Sequence, residues 1–479
     1  MRVSEAVYHK TILIEHSGNP LIEALPEKPD DNELYDYLCY YPAHDNSERL
    51  LSAYERVEYL ARLKDLRQPL PVHMECFRAI DTAIRHSYSS KNPASPTGEH
   101  FRYFGGKDVM TPEPVTGLFV PKGTGLTVIG ESGVGKSCML EKILEFFDDT
   151  ILHKRYKNQA MPVTQVVWIK VDCPSDASIR GLCLAILREL DRKLECGETR
   201  PASTIDTLLD QIESRIRFCY LGFMVIDEMQ YLNVAKSGGS DHMVGFIHNL
   251  VNKLGIPILF CANPPFDDFL RKSFRTARRA EASGYFTVEM LEKNECWDFF
   301  VSELWRLQWT DVITPLTSEL SDRLFHLSVG NLDLAVRIYS ETQRLLIGSG
   351  DERITLCALD SGAASAIRAT RKLVEVRQDE LRFLKALSEN KKKRISTEFD
   401  ETVRSTAVVE KSFVVIPGDL SRCPHPEFQK RVIELRDCSN LYGIMSDPGL
   451  IVRASEGHNP LLDLTEAGIL CVDPLAAFM

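Results

Sequence analysis

Residues 123–137 read GTGLTVIGESGVGKS. The first seven, Gly123 to Ile129, are a short apolar run suited to a buried strand, and the pattern from Ser137 to Phe147 suits a helix. Between them Gly130, Glu131, Ser132, Gly133, Val134, Gly135, Lys136 and Ser137 match GxxxxGK[ST] at every position. Glycines let such a loop wrap close to phosphate groups with its N–H groups turned inward, and the start of the following helix adds a positive dipole end. Lys136 is placed to reach the β- and γ-phosphates of a nucleotide, and the Ser137 hydroxyl to hold Mg2+. The other reading, a glycine-rich turn that binds nothing, does not account for the strand before and the helix after.

Working outward, Phe223-Met224-Val225-Ile226 is a second apolar run, and it ends in two acids, Asp227 and Glu228. A buried central strand that delivers carboxylates to the phosphate edge of a sheet reads this way. Asp227 then binds Mg2+ directly or through water, and Glu228 polarises the water that attacks the γ-phosphate. Alone, the two acids also fit a solvated turn; beside a complete phosphate loop they complement it. Further strands are expected at Gln165 to Val171 and Ile256 to Cys261, separated by the helical patterns IRGLCLAILRELDRKL and HMVGFIHNLVNKL. Alternating strand and helix predicts a parallel sheet covered on both faces. From about Glu289 helical patterns dominate.

These features together resemble an AAA+ P-loop NTPase: an α/β fold with a parallel sheet flanked by helices, here with a helical lid and terminal extensions. The boundaries read as an N-terminal arm (1–71), an ATPase domain (72–288), a lid (289–368) and a C-terminal extension (369–479). The resemblance implies ATP with Mg2+ as ligands and slow, regulatory ATP hydrolysis as the reaction. Asn263 would be the sensor that touches the γ-phosphate and the attacking water, although an asparagine before Pro264 also suits a plain turn. Arg275, Arg278 and Arg279 are the candidates for an arginine that enters a neighbouring subunit's site; a solvated basic face is the alternative. In the lid, Gly330-Asn331-Leu332-Asp333 puts an aspartate where many AAA+ proteins carry a sensing arginine. Arg337, one turn further, is either a substitute or simply exposed.

Bulk properties set the limits. At 479 residues the chain is too long for one core, and 44% hydrophobic with 26% charged residues is ordinary for folded protein. A net charge of -11 means that any nucleic-acid contact needs a local basic surface. The 13 cysteines are scattered without a CxxC pair, which predicts reduced core thiols such as Cys219 and Cys261 rather than a zinc site. No apolar run is long enough for a bilayer and the first residues lack a signal-peptide core, so a cytoplasmic protein without membrane contact is expected.

Several segments resemble one family more narrowly, the transposon-encoded TnsC/TniB-type regulators. They are NPLIEALP (19–26), RHSYSSKNP (85–93), VIDEMQYL (225–232) followed by SGGS (237–240), and RTARR (275–279). The resemblance implies an ATP-dependent regulator of DNA transposition in bacteria that forms a homo-oligomeric ring or filament on double-stranded target DNA without reading its sequence. It implies two protein partners, a target-selection protein of the TnsD/TniQ type and transposase subunits of the TnsA/TnsB type; the arm is a candidate contact for the first and the C-terminal extension for the second, and the residues leave open which extension binds which. Hydrolysis would drive disassembly. The residues themselves also leave open a STAND- or initiator-type switch acting through protein contacts without DNA. For DNA, the loop from Cys173 to Arg180 is the candidate channel lining, against a plain helix cap by Ser175 or Asp176. The run Lys391 to Arg394 would touch DNA or a partner, or be solvated.

Overall fold

The computed structural model describes residues 2–95, 124–175, 178–234, 246, 250, 254–264, 266, 283–368, 371–372 and 374–379. Those up to Gln378 belong to one compact unit. In chain order the N-terminal part carries β1 (Val3–Glu5), α1 (Pro20–Glu23), α2 (Asp31–Leu38), α3 (Ala53–Tyr59) and α4 (Pro71–Ser89). The central part runs β2 (Gly125–Gly130), α5 (Lys136–Leu144), β3 (Thr150–Tyr156), β4 (Gln159–Val166), β5 (Trp168–Asp172), α6 (Ile179–Lys193), α7 (Ile205–Phe218), β6 (Phe223–Asp227), β7 (Ile258–Ala262) and β8 (Tyr285–Val288). A helical part follows with α8 (Glu295–Arg306), α9 (Ser318–Ser328), α10 (Leu332–Leu346) and α11 (Leu356–Ala366).

The main sheet has the order β5-β6-β7-β2-β8, with every pair parallel. Side chains alternate between its two faces, as the period of a strand requires. On β6, Met224 and Ile226 pack with Leu182, Ile186 and Ile212 of α6 and α7, while Phe223 and Val225 pack in the opposite core with Phe77 of α4 and Leu140 of α5. All five residues of β6 and of β7 are buried, so both strands read as continuous apolar runs. This strand order positions the site. β7 lies between β6 and β2, so the chain leaving β7 emerges between the acids after β6 and the loop after β2.

The strand expected at 165–171 is two strands. Val166 ends β4 in a three-stranded sheet of order β1-β3-β4, and after Val167 the chain crosses into the main sheet as β5. That smaller sheet is built from a β3–β4 hairpin, turned through Lys157 and Asn158 at positive φ, with β1 added in parallel. The helix expected from Phe77, Ile80 and Ile84 is α4, with those residues 1%, 0% and 0% exposed.

The segment expected as an N-terminal arm packs into the core. Leu21, Ile22, Leu25, Leu34 and Leu38 share one core with α4 and with Leu126 and Val128 of β2. A buried ion pair joins α3 to the helical part: Arg56 meets the Glu352 carboxylate at 2.5 and 2.8 Å and donates to the Trp309 carbonyl at 2.9 Å. Cys219 and Cys261 are free and buried, as expected. Among the described residues no helix is long and apolar enough to cross a membrane.

Candidate functional site

The loop after β2 takes its shape from glycine. Gly133 sits at φ +83°, and a Cβ there would come within 2.9 Å of Asn331 of the helical part. At Gly130 a Cβ would lie 2.2 Å from the Val288 carbonyl of β8, so the loop's first residue has no room for a side chain. Val134 turns inward and is 1% exposed, anchoring the loop in the core, whereas Glu131 and Ser132 face out. Lys136 and Ser137 then open α5.

Lys136 is the centre of the site. Its ammonium donates to the Gly130 and Glu131 carbonyls, each at 2.8 Å, and to Asn263 Oδ1 at 2.7 Å. Burial pulls this ammonium below its ordinary pKa, with Cys261, Asp227 and Glu228 opposing the shift. Ser137 donates its hydroxyl to Asp227 Oδ2 at 3.2 Å. Asp227 also accepts the Glu228 N–H at 2.8 Å and pairs with Lys170 of β5 at 3.3 Å. Burial pushes the Asp227 carboxyl up, yet hydrogen bonds from the Cys261 thiol and the Glu228 N–H, with the Lys170 charge, bring it below the ordinary carboxylate range.

Glu228 has a left-handed backbone, φ +57°, which is disfavoured for any residue with a Cβ. Its carboxylate accepts a hydrogen bond from the Gln230 side-chain amide, and Gln230 Oε1 accepts the Asn263 N–H at 3.0 Å. Asn331 closes the site from the helical part: its Nδ2 donates to the Ser132 carbonyl at 3.0 Å while its Oδ1 caps α10. The Asp333 N–H reaches the Gly133 carbonyl at 3.2 Å. Together these groups enclose a cavity of about 230 Å³, whose walls include Lys136, Ser137, Asp227, Glu228, Asn263 and Asp333.

Of the sequence-derived residues, Ser132, Gly133, Gly135, Lys136, Ser137, Asp227, Glu228 and Asn263 share one cavity, whereas Gly130, Glu131 and Val134 of the loop do not line it. Arg275, Arg278 and Arg279 lie outside the described residues, as do Lys391 to Arg394. Asp333, in place of an arginine, faces the phosphate loop. Arg337 does not line the cavity; it pairs with Asp333 at 3.4 Å and donates to the Ala366 carbonyl at 2.7 Å. Arg180 donates to the Ser203 and Ala202 carbonyls at 2.7 and 3.0 Å. The cap of α6 is Ser178, which directly precedes the first helical residue and accepts the Gly181 N–H, rather than Ser175; Asp176 lies outside the described residues. Lys170, Gln230 and Asn331 carry polar contacts that the sequence reading did not assign.

The site can hold a nucleotide. Lys136 and the loop's N–H groups suit polyphosphate oxygens, and the adjacent Ser137 hydroxyl and Asp227 carboxylate are hard oxygens of the kind that, with phosphates, hold Mg2+. Sheet order, phosphate loop and acidic strand end define the AAA+ P-loop fold. Residues 122–270 match the AAA domain family. No curated protein matches the chain. Solved structures similar to it include the Walker-type ATPase paby2304 of Pyrococcus abyssi, at 17% identity over 54% of this chain and 70% of that one, TM-score 0.33. The Aeropyrum pernix ORC2 protein is 11% identical over 51% and 63%, TM-score 0.33. Domain III of the Thermotoga maritima replication initiation protein DnaA is 12% identical over 62% and 94%, TM-score 0.34.

Proposed function

We propose that the chain is an ATP-hydrolysing regulator of DNA transposition of the TnsC/TniB type, working in the bacterial cytoplasm on DNA. In this reading ATP and Mg2+ favour an oligomer on double-stranded DNA. That oligomer links a target-selection protein to the transposase, and hydrolysis releases it. The observation that carries the catalytic half is the convergence of Lys136, Ser137, Asp227, Glu228 and Asn263 on one cavity. A lysine for the phosphates, two oxygens for the metal and a carboxylate for the water are the parts that phosphoryl transfer to water needs.

The transposition half is supported by the way two of the resembling segments interlock. Asn19 donates to the Tyr88 carbonyl at 2.7 Å, Arg85 to the Pro26 carbonyl at 2.6 Å, and Asn92 to the Gly18 carbonyl at 3.0 Å. Segments 19–26 and 85–93, far apart in the chain, therefore form one packed unit against the sheet.

Electron microscopy of the purified chain with duplex DNA and ATP, ADP or a non-hydrolysable ATP analogue tests the proposal. Rings or filaments on DNA with the triphosphates and not with ADP are expected. Assembly that depends on ATP but is indifferent to DNA would place the chain with STAND- or initiator-type switches, and no assembly under any condition would remove the oligomeric regulator altogether.

A further inference from the structure

Gln230 lies two residues beyond the acid pair, in the 3-10 turn Met229–Val234, and neither the phosphate chemistry nor the fold requires a glutamine there. Its side chain nonetheless makes two hydrogen bonds of opposite sense. The amide N–H donates to the Glu228 carboxylate, and the amide oxygen accepts the Asn263 backbone N–H at 3.0 Å. Asn263 in turn accepts from Lys136 at 2.7 Å through its own side chain. A continuous path of hydrogen bonds therefore runs from Lys136, through Asn263 just past the end of β7, to the Glu228 carboxylate.

We propose that Gln230 is a positioning residue for hydrolysis, fixing the Glu228 carboxylate relative to the end of β7. The inference rests on the ATPase reading above and deepens it. Glu228 needs such a partner. It stands one residue past the last of the strand, where the sheet no longer defines its direction, and its left-handed backbone gives the side chain an unusual starting vector. One carboxylate oxygen held by Gln230 leaves the other to orient water. Because the same amide grips the Asn263 N–H, the carboxylate moves with the residue that contacts Lys136.

The test compares Gln230→Met, which keeps length and loses both bonds, with Gln230→Glu, which keeps an acceptor for Asn263 and loses the donor to Glu228. Steady-state ATP hydrolysis is measured in the full chain, with kcat and KM separated and with Glu228→Gln as the reference for lost chemistry. Both variants should lower kcat by roughly tenfold to a hundredfold, the usual penalty for a misplaced catalytic group. KM should stay within about twofold, since the phosphate contacts are untouched. The loss of kcat should be at least as large in Gln230→Glu, where a second carboxylate faces the first. A merely structural residue would not give a loss confined to kcat with KM unchanged. An unchanged kcat in both variants, or a loss carried equally by a raised KM, with Glu228→Gln inactive, overturns the role of Gln230 alone. Equal activity of wild type and Glu228→Gln overturns the ATPase assignment of Glu228 and this inference with it.

Discussion

Replacing Arg56 by methionine removes one half of a buried ion pair while roughly keeping the volume of its stem. Both side chains are 8% exposed, and the contact is bidentate. Burial pushes the Glu352 carboxyl up, but the hydrogen bonds from Arg56, Gly348 N–H and Asp311 N–H, with the Arg56 charge, more than reverse this and bring its pKa from 4.5 to about 2. At 1.36 kcal/mol for each tenfold change in proton affinity, that difference corresponds to about 3 kcal/mol of folding free energy. Cutting one partner from a buried pair costs about 3–5 kcal/mol, in the same range. The sign follows from the depressed pKa. The stabilisation is complete above pH 4.5, the unfolded value, and fades as pH falls from there toward 2. Chemical denaturation followed by circular dichroism should show Arg56→Met less stable by about 3 kcal/mol at pH 7, with the gap to wild type closing below pH 4.5. A double variant, Arg56→Met with Glu352→Gln, should recover part of the loss, because no unpaired charge is left inside. A gap under about 1 kcal/mol at pH 7, the size expected of an exposed pair, would refute the claim that this pair fastens the N-terminal segment to the helical part. So would a gap that does not change down to pH 3.

The nucleotide site yields three more expectations. Lys136→Ala should weaken triphosphate binding at least tenfold by calorimetry, since a charged hydrogen bond contributes about 1.5–3 kcal/mol; affinity within twofold of wild type would remove Lys136 from the phosphates. Glu228→Gln should keep affinity and lower turnover by about a hundredfold or more; on the transposition proposal, assemblies on DNA should then persist in ATP, and normal disassembly would count against hydrolysis as the release step. Asn331→Ala removes both the cap of α10 and the bond to Ser132. It should cost about 1 kcal/mol of stability and speed nucleotide release in stopped-flow fluorescence, and an unchanged release rate would show that this contact does not hold the site closed.

The parts of the site that could be read from sequence are those whose chemistry is contiguous. Gly130 to Ser137 must be one unbroken loop to wrap a phosphate, and Asp227 with Glu228 must follow a buried strand, so both announce themselves locally. Asn263 was readable because it directly follows a strand. Lys170 and Gln230 were not, since each is a single polar residue given meaning by a neighbour distant in the chain. Lys170 reaches Asp227 only because β5 pairs with β6, and strand order is a non-local property. The same limit hid the smaller sheet, where β1 pairs with β3 across 147 residues of chain, Val3 opposite Thr150. The core of the N-terminal segment was not legible in its composition. Its core residues Leu21, Leu25, Leu34 and Leu38 are scattered among prolines and acids on helices too short for a 3.6-residue period to show.

Helix α10 joins features that have so far stood apart. Its 15 residues span roughly 22 Å. At one end Asn331 grips the phosphate loop, and toward the other Gln343 holds the Trp309 N–H and the Leu307 carbonyl, beside the seat of Arg56. In mechanical terms the helix is a beam pinned at both ends, with the phosphate loop at one pin and the residues that seat Arg56 at the other. A single rigid element thus spans the distance between the N-terminal segment's ion pair and Ser132 and Gly133.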